Sequence, residues 1–392
     1  MAERHSCALP ALFGLIWPSL DAKEPTIGPE SWNAIAAIAR QHRLRPLLHR
    51  RCQQGGWQAP ASLVQEWAKS HRRAAARALR QKAELVRVTR CLSEAGIAAH
   101  VLKGGAIAWR GWFDPAIRPM RDLDLLVPAA QADAAQRLLL AHGFTGPEAR
   151  VIADGKHLPG LLAPGSGVLV EIHTRLIDAL TPTWARSDQA FRNLAQSRNR
   201  RLPAKEGGCT VFSDDDTLLH VIVHAVLDNQ FNNGPVLLID IEALVNHGDI
   251  DWDRFWATAQ EIGAVRAAQL ALRLAETVMP GMAIGWQKHS PQRLDGKFVA
   301  SAASLMLIPL EKRTELGFIG RLARFRWSER SRILLDSMFR NRSFSAAAAQ
   351  IGGNEQQHGA AGGLARKLTN VSSKEGRSHI KRSLEVANWL RN

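Results

Sequence analysis

Leu102 to Val127, LKGGAIAWRGWFDPAIRPMRDLDLLV, is the stretch on which the fold turns. An apolar strand from Ile97 runs out at Leu102, Gly104 and Gly105 break it, and AIAWRGW reads as helix. A loop holding Pro115 and Pro119 follows, and LDLLV, from Leu123, reads as a second strand. Side chains two apart in a strand share a face, so Asp122 and Asp124 point one way while Leu123 and Leu125 point the other. Buried carboxylates are costly unless something pairs with them. Divalent cations and phosphates are the partners this spacing suggests.

Downstream, GSGVLVEIHTRL, from Gly165, is rich in β-formers and bounded by turn residues. Its GxG precedes a strand, so it is no dinucleotide fingerprint. Glu171 and His173 share one face of that strand, and if the strand neighbours the Asp122–Asp124 strand, Glu171 joins the aspartates. Three converging carboxylates repel one another until a dication neutralises them, and hard oxygen donors suit Mg²⁺ that also holds substrate phosphates. Two-metal phosphoryl transfer uses this arrangement. At the other end, Gly104 and Gly105 offer backbone N–H groups at a helix start to a triphosphate. Lys103, Arg118 and Arg121 are the neighbouring cations available to phosphate oxygens. A P-loop, GxxxxGK[ST], is absent.

Outward from this centre the pattern is helical. PESWNAIAAIARQHRLRPLLHRR and AELVRVTRCLSEAG place apolar residues three and four apart, with Gly96 as terminator. A helix over QADAAQRLLLAHGF follows the second strand. After about residue 210 helices resume with SDDDTLLHVIVHAVL, where Ser213 and Asp216 have the spacing of a capping box. His220 and His224 stand one turn apart, a zinc-compatible spacing with Asp240 as third donor, but the HExxH glutamate is missing and a structural or substrate-lining role is the better reading. For His173, orientation or packing is the better reading than direct catalysis.

The 392 residues carry a formal net charge of +15. Residues 312–392 hold 16 Lys/Arg against 6 Asp/Glu, so +10 of that excess sits there. Within it, GFIGRLARFRWSERSRILLDSMFRNR reads as an amphipathic packing helix with a basic outer face, the alternative being contact with a membrane surface or nucleic acid. No RNA-binding signature or zinc finger accompanies it, which argues against nucleic acid as a template. SFSAAAAQIGGNEQQHGAAGGLARKL reads as a flexible linker, and RSHIKRSLEVANWLRN as a terminal amphipathic helix through Ile380, Leu384 and Trp389. The four cysteines, Cys7, Cys52, Cys91 and Cys209, are too scattered for a zinc knuckle or a disulfide framework. CALPALFGLIW, flanked by Glu3 and Asp21 and broken by Pro10, is a poor secretion signal, and the expected location is the cytoplasm.

LKGG, RPMRDLDLLV, VEIHTRL, LLHVIVHAV, LLIDIEALV and IDWDRFW, taken in order, resemble the uncharacterised nucleotidyltransferase family of the polymerase-beta-like nucleotidyltransferase superfamily, across roughly residues 35 to 275. The resemblance implies an α+β fold with a small mixed β-sheet nucleotidyltransferase core flanked by N- and C-terminal helical regions. The expected divisions are 1–95 helical, 96–205 core, 206–342 helical, and 343–392 a flexible basic tail ending in a helix. It further implies two Mg²⁺ ions held by Asp122, Asp124 and Glu171, with an NTP as donor and an unknown acceptor. Glu171 would be the third carboxylate, assisting deprotonation of the acceptor. The spacer of 16 residues between Gly105 and Asp122 is longer than is usual in compact members. Alternatives are a protein- or peptide-modifying enzyme of natural-product or toxin-antitoxin type, and a non-catalytic nucleotide-binding module.

Overall fold

The computed structural model describes residues 16, 27–54, 59–146, 156–178, 182–203, 208–290, 294–308 and 374–391. The basic stretch 317–342 and the linker 343–368 lie outside the described residues, as does CALPALFGLIW apart from Ile16. The chain divides into two compact units, Met1–His224 with Pro235–Gln292, and Ala225–Gly234 with Arg293–Asn392.

The first unit is α+β, as the sequence leads one to expect. Its helical lead-in comprises α1 (Pro29–Gln41), α2 (Arg45–Gln54) and α3 (Ala61–Glu94). One continuous periodic stretch becomes α1 and α2 because Arg43 adopts a left-handed φ of 59° and the chain turns there. Gly96, at φ 71°, ends α3 as the sequence suggests, and the Ile97 N–H closes back on the Leu92 carbonyl at 2.9 Å.

Six strands form a mixed sheet in the order β3-β4-β2-β1-β6-β5. They are β1 (His100–Val101), β2 (Asp122–Leu126), β3 (Leu161–Leu162), β4 (Leu169–His173), β5 (Arg200–Arg201) and β6 (Thr210–Val211). The strands read from sequence at Ile97–Leu102 and from Gly165 shorten to β1 and β4, while β3, β5 and β6 are too short to carry a periodic signal. β2 runs parallel to β4 and antiparallel to β1. Leu123, Leu125, Val170 and Ile172, on one face, join a core with Leu85, Val88 and Leu92 of α3. Ala135 and Leu139 of the helix Ala132–Ala141 complete that layer. Burying these side chains stabilises the face by about 1.5–3 kcal/mol each, and strand alternation then turns Asp122, Asp124, Glu171 and His173 to the other.

The long spacer before β2 is built, not loose. It opens with a short helix, Lys103–Ile107, which starts on the glycine pair itself instead of after it. A 3-10 turn over Pro115–Ile117 follows, capped by the Asp114 carboxylate, which accepts from the Ala116 N–H at 2.9 Å. α3 ties the spacer down along its length. His71 meets Asp114 at 2.6 Å, Gln81 donates to the Met120 carbonyl at 3.2 Å, and Arg77 to the Arg121 carbonyl at 3.3 Å.

The helix Asp214–Val223 is buried on every side. The Ser213–Asp216 capping box does not form: Ser213 donates its hydroxyl to one Asp216 oxygen at 2.8 Å, and the other oxygen takes Arg198 at 2.9 Å. In the second unit the helices Gly296–Met306 and Lys374–Arg391 pack together, with Phe298 and Trp389 5.4 Å apart. The terminal helix is as expected, but it buries His379, Ser383, Val386 and Ala387, while Ile380, Leu384 and Trp389 are only half-buried.

Candidate metal centre

The parallel register of β2 and β4 sets Asp122 beside Leu169, Asp124 beside Glu171, and Leu126 beside His173. Asp124 is therefore the meeting point. His173 Nε2 lies 2.7 Å from Asp124 Oδ1 and 3.6 Å from Glu171 Oε2. Lys103 donates to the same Asp124 oxygen at 2.8 Å. One ligand atom each from Asp124, Glu171 and His173 falls within 4.8 Å of the others, which is the spacing of donors around a single ion. Asp124 and His173 are only 5% and 1% exposed, so nothing but protein or a ligand can satisfy their polar atoms.

The electrostatics divide the three acids. Burial raises the Asp122 carboxyl, the charges of Asp124 and Glu171 raise it further, and it reaches about 6 despite Lys103 and His173. Burial also works on Asp124, but Lys103 and the His173 hydrogen bond overcome it and hold that carboxyl well below the usual range. Glu171 is lowered as well, its burial being outweighed by His173 and His157. Asp124 is thus the committed anion and Asp122 the carboxylate under repulsion.

Histidines close the far side. Burial pushes His220 and His224 well below the usual imidazole value, and the charge on Lys103 adds to this, so both are neutral at pH 7. Lys156, itself buried, places its ammonium 3.2 Å from His224 Nδ1. The His157 ring lies tilted against that of His173, with centroids 5.0 Å apart. Asp240, weighed from sequence as a zinc donor with His220 and His224, gives both its oxygens to Arg118, at 2.9 and 2.7 Å. Among the described residues, the only group with metal-ligand spacing is Asp124, Glu171 and His173.

The glycine pair has a packing reason. A side chain at Gly104 would meet the Arg118 guanidinium at 2.0 Å and Met120 Sδ at 2.7 Å, and one at Gly105 would meet Val101 at 2.7 Å. Lys103 takes a left-handed φ of 48°, and with that turn its ammonium reaches Asp124. Arg118, expected to face phosphate, is clamped by Asp240, whereas Arg121 is exposed beside Asp122. Sequence reading missed the ion-pairing of Lys103, the Lys156–His224 contact and the Arg118–Asp240 clamp. For His173 the signal was present, since it shares the face of Glu171. For Lys156, in DGKHLPG, there was none.

A family model described as "Uncharacterised nucleotidyltransferase" matches residues 28–280. The chain belongs to that family. No curated protein and no solved structure matches it. The family span runs from α1 to the end of the helix Val265–Val278 and contains every residue of the candidate site. Outside it lie the helices Gly296–Met306 and Lys374–Arg391. Among the described residues no helix is long and apolar enough to cross a membrane.

Proposed function

We propose that the protein transfers a nucleoside monophosphate from an NTP to an acceptor in an Mg²⁺-dependent reaction, as a member of the polymerase-beta-like superfamily. The observation that carries this reading is a deficit of positive charge. Asp122, Asp124 and Glu171 share one sheet face; Lys103 and His173 pair with Asp124, Glu171 has histidine neighbours, and Asp122, with no ion pair among the described residues, feels Arg43 and the Asp240-bound Arg118 only at longer range. The residues fit a divalent cation: donor atoms of Asp124, Glu171 and His173 converge, Asp124 and His173 are buried, and the Lys103 ammonium already lies where positive charge is wanted.

Bound there, Mg²⁺ would lower the cost of bringing an acceptor oxygen to a polyanionic triphosphate and would offset charge on the departing pyrophosphate. The chain's own residues do the rest. Asp124, Glu171 and Asp122 hold the reacting groups in line, which supplies much of the rate. The acceptor oxygen forms the new bond to the α-phosphorus, the α–β bridging bond breaks, pyrophosphate leaves, and the acceptor proton passes to Glu171. Lys103, no longer needed by an Asp124 that is shared with a cation, is free to pair with a phosphate, as is the exposed Arg121. Gly104 and Gly105 present N–H groups at the start of their helix. Arg118, held by Asp240, braces the glycine turn. The acceptor class is open to small molecules, sugars and peptides; cytoplasmic NTP and Mg²⁺ pools suit the reaction, and the basic stretch 317–342 is the segment available for membrane-surface contact.

The test is pyrophosphate release from each NTP with Mg²⁺ and an acceptor panel, paired with intact-mass detection of the product. Asp124→Asn should reduce the rate by about 10³-fold with the fold retained. Release at an undiminished rate by Asp124→Asn would overturn the assignment of the site. Nucleotide binding without release from any acceptor would favour the non-catalytic reading.

A further inference from the structure

The donor set seen here is not three carboxylates. The register gives Asp122 the apolar Leu169 as its neighbour, and it gives Asp124 the neighbour Glu171 with His173 one step beyond. The three atoms that converge are two carboxylate oxygens and an imidazole nitrogen. His173 is 1% exposed and its backbone is pinned on both sides: Val127 N–H donates to the His173 carbonyl at 2.8 Å, and the next residue, Thr174, donates to the Lys156 carbonyl at 2.8 Å. The His157 ring supports it from behind. A side chain held so firmly, with Nε2 between two carboxylates, is preorganised to give that nitrogen to a cation.

We propose that His173 is itself a metal ligand through Nε2, with Asp124 and Glu171, and that this nitrogen biases the site towards Mn²⁺ and related first-row ions over Mg²⁺. The inference rests on the proposed cation-binding role of Asp124 and Glu171 and goes further in assigning the third donor and the ion. Two carboxylates and a neutral imidazole carry two negative charges, which one dication balances; a third carboxylate at the same ion would leave an uncompensated charge in a buried site. Imidazole donors add affinity for first-row transition ions that Mg²⁺, which favours oxygen, does not gain. Nε2 lies against Asp124 Oδ1; with the proton on Nδ1, its lone pair faces the same point. Asp122, left out of this shell, remains for a second ion or for the substrate.

Pulsed electron paramagnetic resonance of the full chain loaded with Mn²⁺ reads this without any turnover. The expected spectrum contains hyperfine coupling from a directly coordinated nitrogen, and that coupling disappears in His173→Gln. In direct titrations the same variant should weaken Mn²⁺ binding by about 10-fold or more and Mg²⁺ binding by less than about 3-fold. Mn²⁺ bound with no nitrogen coupling, or a coupling that survives in His173→Gln, would overturn the assignment, since His157, His220 or His224 would then be the source or no histidine would be. Failure of the parent reading looks different: the unaltered chain would bind neither ion, or Asp124→Asn would bind both as well as the unaltered chain does.

Discussion

Two groups of three acids lie in the same unit, one wholly buried and one with Asp122 and Glu171 half-buried, and they are neutralised in opposite ways. At the start of the helix Asp214–Val223, every carboxylate has a guanidinium. Asp214 meets the buried Arg110 and also Arg200, the latter at 2.7 Å; Asp215 takes Arg254 in a two-point contact at 2.8 and 2.6 Å; Asp216 takes Arg198 at 2.9 Å. In the β2–β4 group, Asp124 has Lys103 and His173, Glu171 has only histidines at 3.6 and 3.9 Å, and Asp122 has no ion pair among the described residues. The first group is an unbroken run in the sequence, whereas the second is assembled from Asp122 and Asp124 on one strand and Glu171 on another. What separates a structural cluster from a candidate reaction centre is the charge left over, because a folded chain tolerates unbalanced buried charge only where something else is to complete it.

The sharpest way to break this contrast is to remove Asp214. Arg110, whose side chain is 1% exposed, would then face no carboxylate, and losing one partner of a buried pair costs about 3–5 kcal/mol. Asp214→Ala should lower the denaturant midpoint accordingly, while the molecules that remain folded bind Mn²⁺ as before. A variant of ordinary stability, or one with altered metal affinity, would mean that the helix cluster is not the purely structural one.

A smaller effect tests the helix cluster by pH; Asp216 and Asp122 are both raised to about 6, but only Asp122 lies where a cation is proposed to bind. Burial, together with Asp215, raises the Asp216 carboxyl to about 6 against the pull of Arg198. Its folded value lies above its unfolded value near 3.8, so the folded state holds the proton more tightly and this group's contribution to stability falls as pH climbs from 4 to 6. Asp216→Asn cannot ionise. Its stability relative to the unaltered chain should therefore rise by about 1–3 kcal/mol between pH 4 and pH 7, the upper end being the full linkage of a two-unit shift. Denaturant titrations at the two pH values measure it, and Mg²⁺ should leave the difference unchanged. A relative stability that falls over this range would reverse the assigned sign.

The same contrast explains how much was legible. Strand alternation placed Asp122 with Asp124 on one face of their strand and Glu171 with His173 on one face of theirs, but that the two strands are neighbours came only from the structure. The family order then made the sheet core an expectation. What stayed hidden depends on long-range approach. Arg118 looks like a free phosphate ligand until α-helical Asp240, 122 residues away, takes it. Gly104 and Gly105 look like a phosphate cradle until Arg118 and Val101 are seen to occupy the space of their missing side chains. SDDDT offered a capping box, a local pattern, where the fold instead uses four arginines that no local rule encodes.

The finest distinction concerns Asp122, the acid with no counter-ion of its own. In the cation-free protein at pH 8 it is ionised beside Asp124 and Glu171, whose charges oppose it. Like charges at such sites cost on the order of 1 kcal/mol at the effective dielectric of a protein surface or shallow interior. Asp122→Asn removes one of them while keeping the size and an amide that accepts hydrogen bonds, so it should stabilise the empty fold by about 1 kcal/mol in denaturant titrations. Most substitutions of a half-buried polar group do the reverse. Saturating Mg²⁺ should erase the advantage, because the unaltered chain then gains binding energy that the variant forgoes. If Asp122→Asn proved less stable without cations, the repulsion would be absent, the two acidic clusters would be balanced alike, and the charge deficit that distinguishes β2 and β4 would have no energetic content.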